Sequence, residues 1–226
     1  MREGAEKGYC VPVPFFMELP RVYPIVDTGA LARRGRDPLW FAEALLEGGA
    51  RVLQLRHKGH YSRAVFETAS QLAVLCLRAG ARLVIDDRAD IAALLDAGVH
   101  LGQNDLPPRL ARRVLGEERI LGFSTHNEEQ LRAAAAEPAD YLAIGPVFET
   151  LSKENPDPAL GLERLPGLRA LTNKPLVAIG GITRERARAV LRTGIDSIAV
   201  IGDLMPAEMT KATVRERMEE WIALTR

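Results

Sequence analysis

Aspartates follow two short apolar runs in the stretch LVIDDRADIAALLDAGVHLGQND, which spans residues 83–105. The run Leu83–Ile85 ends at Asp86 and Asp87, and the run Gly98–Leu101 leads into a polar segment that closes with Asp105. Short apolar runs separated by a helix-sized insert are typical of buried parallel strands, whose carboxyl ends meet at one edge of a sheet. We therefore expect Asp87 and Asp105 to lie side by side, and paired carboxylates favour Mg²⁺ as the bound metal.

Polar side chains alternate along the preceding strand, at Gln54, Arg56 and Lys58. Alternate residues of an extended strand point to the same side, and burying three polar groups is costly unless an anion meets them. Arginine offers two parallel donors and lysine a point charge, a combination suited to phosphate. The alternative is an internal ion-pair network, in which carboxylates such as Asp87 pair with Arg56 or Arg88.

Glycines follow the last two predicted strands, at Gly180, Gly181 and Gly202. Glycine lets backbone N–H groups approach a phosphate closely, but tight turns without any ligand explain the same residues equally well. A long loop lies between Pro146 and Gly161. Loops of this length inside a compact domain are usually functional or disordered.

The elements that must position these residues form eight strand-like units, each followed by a helical segment or a polar turn. The predicted strands are Val22–Val26, Val52–Leu55, Leu83–Ile85, Gly98–Leu101, Ile120–Phe123, Tyr141–Ile144, Leu176–Ile179 and Ile198–Ile201. Right-handed crossovers and burial on both faces favour one closed parallel (β/α)₈ TIM barrel over a doubly wound open sheet. We expect residues 1–20 to form a short N-terminal extension and residues 21–226 to form the barrel.

Composition narrows the class of protein. The chain has 226 residues, 47% of them hydrophobic, and its 30 basic residues balance 30 acidic ones, which gives no support for nucleic acid or an anionic membrane as a partner. Two cysteines make no disulfide framework, so a cytoplasmic enzyme is expected, with Cys76 buried and unreactive. No apolar run reaches the length of a membrane span. A monomer and a homodimer both remain open.

Other catalytic motifs are missing from the sequence. The four histidines show no metal-ligand spacing, and His100 lies in an apolar strand, where a hydrogen-bonded structural role is expected. There is no Gly-x-Ser-x-Gly elbow, no Walker motif and no Gly-x-Gly-x-x-Gly at the start of a helix. The sequence therefore gives no support for nucleophilic acyl chemistry or a nicotinamide cofactor.

Seven short motifs occur in the order typical of one family. They are LQLRHK, DDRAD, GVHLGQNDLP, STH, GPVFETLSK, AIGGIT and the glycine after AVI, and the resemblance that they carry runs from about Tyr23 to Leu204. In these motifs the chain resembles the thiamine-phosphate synthases. The resemblance implies a TIM barrel that joins a pyrimidine methyl pyrophosphate to a thiazole phosphate and releases pyrophosphate with the help of Mg²⁺. It also implies a pyrimidine methyl cation, which the thiazole nitrogen captures without any protein nucleophile.

The resemblance assigns site residues position by position. The residues implied for the pyrimidine pyrophosphate are Gln54, Leu55, Arg56, His57, Lys58, Asp86, Ser124 and Lys153. Of these, the implied catalytic residues are Arg56, Lys58, Ser124 and Lys153. The residues implied for the thiazole phosphate are Thr150, Leu151, Ser152, Gly181, Ile201 and Gly202. Asp87 and Asp105 are implied as Mg²⁺ ligands.

Three positions depart from the family pattern. Asp86 stands where the family usually has asparagine, and a carboxylate there either adds to the metal shell or weakens anion binding. Gly202 stands in place of serine and Ser152 in place of threonine. The related thiazole tautomerases are the main alternative, but they typically place a catalytic histidine where this chain has Pro146, which cannot transfer a proton. A non-catalytic phosphate-binding barrel is the third possibility.

Overall fold

Eight parallel strands close into a barrel in the computed structural model, which describes residues 19–150 and 157–226. The strands are β1 Val22–Asp27, β2 Val52–Arg56, β3 Arg82–Asp86, β4 Gly98–Leu101, β5 Leu121–Thr125, β6 Tyr141–Ile144, β7 Leu176–Ile179 and β8 Ser197–Val200. Each strand pairs in parallel with the next along the chain, and β8 pairs with β1, with Tyr23 opposite Ala199. This closure confirms the predicted (β/α)₈ barrel and excludes the open sheet.

Helices surround the barrel. They are α1 Thr28–Ala32, α2 Pro38–Glu47, α3 Arg63–Arg78, α4 Ala89–Leu94, α5 Pro108–Leu115, α6 Glu128–Ala135, α7 Leu165–Arg169, α8 Arg184–Leu191 and α9 Lys211–Thr225, with 3₁₀ turns at Leu162–Arg164 and Gly202–Leu204. The side chain of Asn127 accepts a hydrogen bond from the backbone of Gln130, at 2.9 Å, and so caps α6. None of the helices in the described ranges is both long and apolar enough to cross a membrane.

Buried side chains form two layers, one on each face of the strands. Inside the barrel, Tyr23, Ile25, Val84 and Tyr141 belong to a small cluster contributed by alternate strand residues. Outside the barrel, a larger cluster fills the space between strands and helices and includes Cys76. Burial on both faces explains why the strands are continuous apolar runs. It also raises the pKa of the Cys76 thiol to about 12, which agrees with the predicted unreactive cysteine.

The helix α1 was not predicted. Asp27, the last residue of β1, accepts a hydrogen bond from the backbone of Ala30 at 2.7 Å and so starts α1 at once. At the other end of the chain, Thr210 caps α9, which begins at Lys211. Most of the predicted N-terminal extension lies outside the described residues, so that domain boundary stays a prediction.

Candidate active site

A cavity of about 840 Å³ opens at the carboxyl ends of the strands. This is the end at which barrels of this kind place their active sites. Ten of the residues assigned from the sequence line it: Gln54, Arg56, Lys58, Asp86, Asp87, Ser124, Thr150, Gly181, Ile201 and Gly202. Leu151, Ser152 and Lys153 lie outside the described residues. Residues that are separated by as many as 148 positions in the sequence, from Gln54 to Gly202, therefore meet at one opening.

The alternation along β2 selects which side chains reach the cavity. Gln54, Arg56 and Lys58 line it, as the spacing predicts. Leu55, between them, is buried among the outer core residues. The imidazole of His57 also turns aside, where its Nδ1 lies 2.8 Å from the Thr28 hydroxyl. The side chains of Leu55 and His57 therefore do not reach the cavity, and any contact of theirs with a ligand there is left to the backbone.

The two cations of β2 and its following loop are held by carboxylates. Arg56 forms an ion pair with Asp27, and its Nε lies 3.8 Å from Asp86 Oδ2. The Nζ of Lys58 lies 2.7 Å from Asp86 Oδ2 and 2.6 Å from Asp87 Oδ2. An internal ion-pair network is thus present, with Asp27 as a member, but Asp87 pairs with Lys58 rather than with Arg56 or Arg88. Because the network lines a cavity, it is open to competition from a bound anion.

The protonation of the site follows from burial and from these neighbours. Burial, followed by the negative charge of Asp86, raises the pKa of Asp87 to about 6, and a hydrogen bond with Asp105 adds to the rise. Burial alone would lower the pKa of Lys58, but the attraction of Asp86 and Asp87 outweighs it and the pKa is raised. Lys58 is therefore charged at neutral pH. Asp87 has two carboxylate neighbours, Asp86 and Asp105, and both of them raise its pKa.

The backbone of Asp87 adopts a left-handed conformation. Its φ of 65° is in the left-handed region, which residues other than glycine rarely adopt, although aspartate is among those that do. The N–H of Asp87 donates to the carbonyl of His100 at 2.8 Å, which ties the turn after β3 to β4. A costly backbone conformation at the rim of a cavity is often kept for function.

The pair Asp87 and Asp105 can serve as a cation site. The two side chains are hydrogen-bonded to one another, and Asp105 Oδ2 also accepts from the backbone N–H of Gly102 at 2.6 Å. Carboxylates brought this close repel unless a proton or a cation lies between them. Across the described ranges, no group of three or more His, Cys, Asp or Glu side chains is arranged to hold a metal. Two carboxylates nevertheless fit Mg²⁺, which usually completes its shell with water and substrate phosphates.

The glycines after β7 are required by close packing. Gly180 and Gly181 have φ values of 100° and 60°, and a Cβ on Gly181 would lie 2.3 Å from the carbonyl oxygen of Glu149. These two residues are thus explained by their turn alone. Gly202 differs, because a Cβ there would meet no atom within 4 Å. Phosphate binding by these loops stays a prediction.

Ser124 is held by a histidine inside the barrel. Its Oγ lies 2.8 Å from Nε2 of His100, and the Nδ1 of His100 lies 2.8 Å from the hydroxyl of Tyr141. This confirms the hydrogen-bonded structural role predicted for His100. A second histidine, His126, lines the cavity with its Nδ1 2.7 Å from the carbonyl of Gly145.

Sequence reasoning missed three polar groups in and below the cavity: Asp27, Tyr23 and Tyr141. The available signal was the alternation rule that succeeded for β2. Applied to β1, it places Tyr23, Ile25 and Asp27 on one side, and applied to β6 it places Tyr141 with Ala143. All five residues are buried, and the two tyrosines, Ile25 and Ala143 belong to the cluster inside the barrel.

Comparisons with known proteins find similarity over most of the chain. The family described as "Thiamine monophosphate synthase" matches residues 22–204. A thiamine-phosphate synthase of Koribacter versatilis (strain Ellin345) is 48% identical over 195 residues, 84% of this chain and 90% of that protein. One from Chloroflexus aurantiacus is 41% identical over 197 residues, 87% of this chain and 90% of that protein.

Solved structures are also similar to this chain. The thiamine phosphate pyrophosphorylase from Pyrococcus furiosus superposes with a TM-score of 0.79 at 35% sequence identity, covering 91% of this chain and 95% of that one. A structure titled "Native KDPGal structure" has a TM-score of 0.70 at 14% identity, which shows the shared barrel fold alone.

Proposed function

This chain belongs to the thiamine monophosphate synthase family and is a transferase of the thiamine-phosphate synthase type, and from that premise we propose its reaction in detail. The substrates are the pyrophosphate ester of 4-amino-5-hydroxymethyl-2-methylpyrimidine and 4-methyl-5-(2-phosphoethyl)thiazole or its carboxylated precursor. The products are thiamine monophosphate and pyrophosphate, with carbon dioxide in addition when the carboxylated thiazole is the substrate. The bond between the pyrimidine methylene carbon and oxygen breaks, its electron pair leaves with pyrophosphate, and the thiazole nitrogen supplies the pair for the new carbon–nitrogen bond.

One observation carries this proposal. At one rim of the cavity, two cations, Arg56 and Lys58, lie against the carboxylates of Asp86 and Asp87, and Asp105 contacts Asp87. A pyrophosphate needs both cationic donors and a divalent cation, and these five side chains supply the first and can hold the second. A barrel that bound a simple phosphate would not require the acidic pair.

Arg56 and Lys58 act on the leaving group. In the free protein both are paired with carboxylates, so pyrophosphate binding exchanges those partners for phosphate oxygens. As the carbon–oxygen bond breaks, negative charge grows on the departing oxygens, and fixed cations stabilise that charge more in the transition state than in the ground state. Ser124 lies on the cavity wall and contacts the pyrimidine. These residues need no nucleophile among them, because the thiazole nitrogen is the nucleophile.

Asp87 and Asp105 would hold the Mg²⁺ that the family implies. When bound, the ion neutralises charge on the pyrophosphate and orients it as a leaving group. The chain's own part is to hold the two carboxylates in contact, through the turn at Asp87 and the hydrogen bond from Gly102 to Asp105.

The second substrate would occupy the other side of the mouth. Backbone N–H groups near Gly181, Ile201 and Gly202 would bind its phosphate, a common arrangement for the last two loops of such barrels. Thr150, which lines the cavity, would join them, together with Leu151 and Ser152. Lys153, on the same loop, would close over the leaving group and exclude water.

The direct test mixes the purified protein with both substrates and measures thiamine phosphate, with Mg²⁺ and with a chelator. We expect product and pyrophosphate in equal amounts, and only with the metal. A parallel assay offers the carboxylated thiazole phosphate alone, without metal. Isomerisation of that compound without product in the first assay would overturn the proposal in favour of a tautomerase.

A further inference from the structure

Five polar side chains form a continuous hydrogen-bonded chain across the barrel interior, at the base of the cavity. In order they are Gln54, Tyr23, Tyr141, His100 and Ser124, referred to below as the interior chain. The links are 3.3 Å from Gln54 Nε2 to the Tyr23 hydroxyl, 2.8 Å between the two tyrosine hydroxyls, and 2.8 Å on each side of the imidazole. Its two ends, Gln54 and Ser124, line the cavity.

The barrel interior is built to permit this contact. On β5, Gly122 has no side chain, and a Cβ there would lie 2.1 Å from Cζ of Tyr141 and 2.5 Å from Nδ1 of His100. The rings of Tyr141 and His100 are stacked, with centroids 5.5 Å apart, and the rings of Tyr23 and Tyr141 meet edge to face at 5.8 Å. Gln54 is 3% exposed and each tyrosine 1%, so the links are shielded from water. Buried polar groups with fixed partners hold one arrangement.

The interior chain has a preferred direction. Gln54 donates through Nε2, so the Tyr23 oxygen already accepts one hydrogen bond. If Tyr23 donates to Tyr141 and Tyr141 donates to Nδ1 of the imidazole, both buried tyrosine protons have acceptors. The imidazole then carries its proton on Nε2 and donates it to Ser124, and the only hydroxyl proton left without an acceptor in the interior chain is that of Ser124, which is partly exposed at the cavity wall. In the reverse direction the proton without an acceptor among the described hydrogen bonds would be that of Tyr23, which is 1% exposed, and leaving a buried donor unpaired costs more.

This direction determines what the cavity offers to a ligand. Because the Nε2 of Gln54 donates to Tyr23, the Oε1 of the same amide is the atom that can accept a hydrogen bond from a ligand. Ser124 accepts from the imidazole, so its hydroxyl proton can be donated to a ligand. A 4-aminopyrimidine supplies an amino group that can donate to the Oε1 of Gln54 and a ring nitrogen that can accept from the Ser124 hydroxyl. A 4-oxopyrimidine places a carbonyl acceptor where the amino donor would be, so the Oε1 of Gln54 would face another acceptor.

We propose that the interior chain determines specificity, because Tyr23, Tyr141 and His100 fix Gln54 as an acceptor and Ser124 as a donor and so select an aminopyrimidine over an oxopyrimidine. This inference rests on the proposed function, which supplies the pyrimidine substrate. Tyr23 and Tyr141 are positioning residues in it, since they act through Gln54 and Ser124. A site built around hydrogen bonds discriminates strongly, because the wrong ligand leaves buried polar groups without partners.

The test measures the dissociation constants of the pyrophosphate esters of the 4-amino and 4-oxo pyrimidines by calorimetry, with Mg²⁺ and without the thiazole phosphate. We expect the wild type to prefer the amino ester by about a hundredfold or more. Tyr141→Phe breaks the interior chain at its centre, so the preference is expected to fall about tenfold or more. Most of that fall comes from weaker binding of the amino ester. The matched control is Tyr61→Phe, outside the cavity, which leaves the preference unchanged.

Two further outcomes keep the inference falsifiable. Thermal melting identifies a Tyr141→Phe protein that fails to fold, and Tyr23→Phe then carries the test, since it frees the amide of Gln54 to turn over. A folded variant at either position that keeps the wild-type preference overturns the inference. A wild type that binds both esters equally tightly also overturns it, while leaving the synthase reaction intact. Failure to bind either ester would overturn the proposed function itself.

Discussion

Two regions of the molecule each hold buried or partly buried cations, and the partners of those cations differ between them. Away from the mouth, Arg112 on α5 donates to the carbonyls of Gly116, Arg119 and Pro138 at 2.7–3.0 Å and to the carboxylate of Asp140 at 2.9 Å. All these partners are built into the fold, and three of them are backbone atoms. This guanidinium is therefore fixed in place and has a structural role.

At the mouth, by contrast, the partners of Arg56 and Lys58 are side-chain carboxylates beside a cavity. Side-chain carboxylates at a cavity can turn to a metal ion or give way to an anion, whereas the backbone carbonyls around Arg112 are held in place by the fold. Whether a buried cation is bonded to the backbone or to cavity-lining carboxylates therefore distinguishes a structural role from a functional one more clearly than the extent of its burial does. Replacing a cation at each region tests this distinction.

The largest effect is expected from Arg112→Met. Removing a cation from a buried pair leaves Asp140 and several carbonyls without their donor, which costs about 3–5 kcal/mol of unfolding free energy. Denaturant titration measures this loss, while the turnover of the folded protein is expected to stay unchanged. The control is Arg109→Met, since that side chain is 70% exposed and its pair with Glu137 contributes little. A stable Arg112→Met protein with low turnover would reverse the comparison.

Lys58→Met is expected to lower turnover while leaving the unfolding free energy nearly unchanged. Loss of a fixed cation at the leaving group should lower kcat by about a hundredfold, measured as thiamine phosphate formed per minute. Because the side chain is 47% exposed, water replaces much of its pairing, and the unfolding free energy should change by about 1 kcal/mol or less. Lys211→Met, at a surface pair with Glu43, is the matched control. Unchanged turnover in the Lys58 variant would contradict its assigned role.

Lys153→Ala should also cut turnover much more than thermal stability, by about tenfold or more. The expectation comes from the resemblance and from the position of Lys153 on a long loop. Parallel measurement of kcat and melting temperature decides it. A large fall in melting temperature with unchanged kcat would defeat the prediction.

Asp86→Asn tests whether the carboxylates at the mouth compete with an anion for the cations. The carboxylate of Asp86 pairs with both Arg56 and Lys58, so it competes with pyrophosphate for them. Its removal should tighten the binding of inorganic pyrophosphate without metal by about threefold to tenfold, as measured by calorimetry. Asp90→Asn, at an exposed pair with Arg88, is the control. If the Asp86 variant instead loses Mg²⁺ affinity with no gain for pyrophosphate, Asp86 belongs to the metal shell.

The smallest effect is expected at Cys76. Burial raises the pKa of this thiol to about 12, so at pH 8 the reactive thiolate is nearly absent from the folded protein. Iodoacetamide at pH 8 should leave Cys76 unmodified in native protein and modify it fully in guanidinium, as read by peptide mass mapping. Rapid modification of the native protein would show that the outer layer of the core opens readily.

The fold was predictable from the sequence because its strands are buried on both faces and end at polar residues. β4 and β6, at Gly98–Leu101 and Tyr141–Ile144, have the predicted bounds. α1 was not predictable from periodicity, since five residues contain little more than one turn and the helix depends on the cap from Asp27. A local hydrogen bond decided that element.

The candidate site was predictable in part. Alternation correctly placed Gln54, Arg56 and Lys58 on one side, and strand ends correctly brought Asp87 close to Asp105. The partners of each cation were not predictable, because a sequence does not say which carboxylate of several at a rim is nearest. The interior chain was also missed, since its hydroxyls meet only after distant strands close into a barrel.

Barrel closure also affects how the enzyme is made. β1 pairs with β8 through Val22–Ile198 and Tyr23–Ala199, so its second edge is covered only by nearly the last strand to be synthesised. Until Ser197–Val200 leaves the ribosome, the nascent sheet keeps two open edges, which are ready templates for pairing with other chains. Premature termination before residue 197 would therefore yield an inactive fragment whose open strand edges favour aggregation, rather than a weakened enzyme.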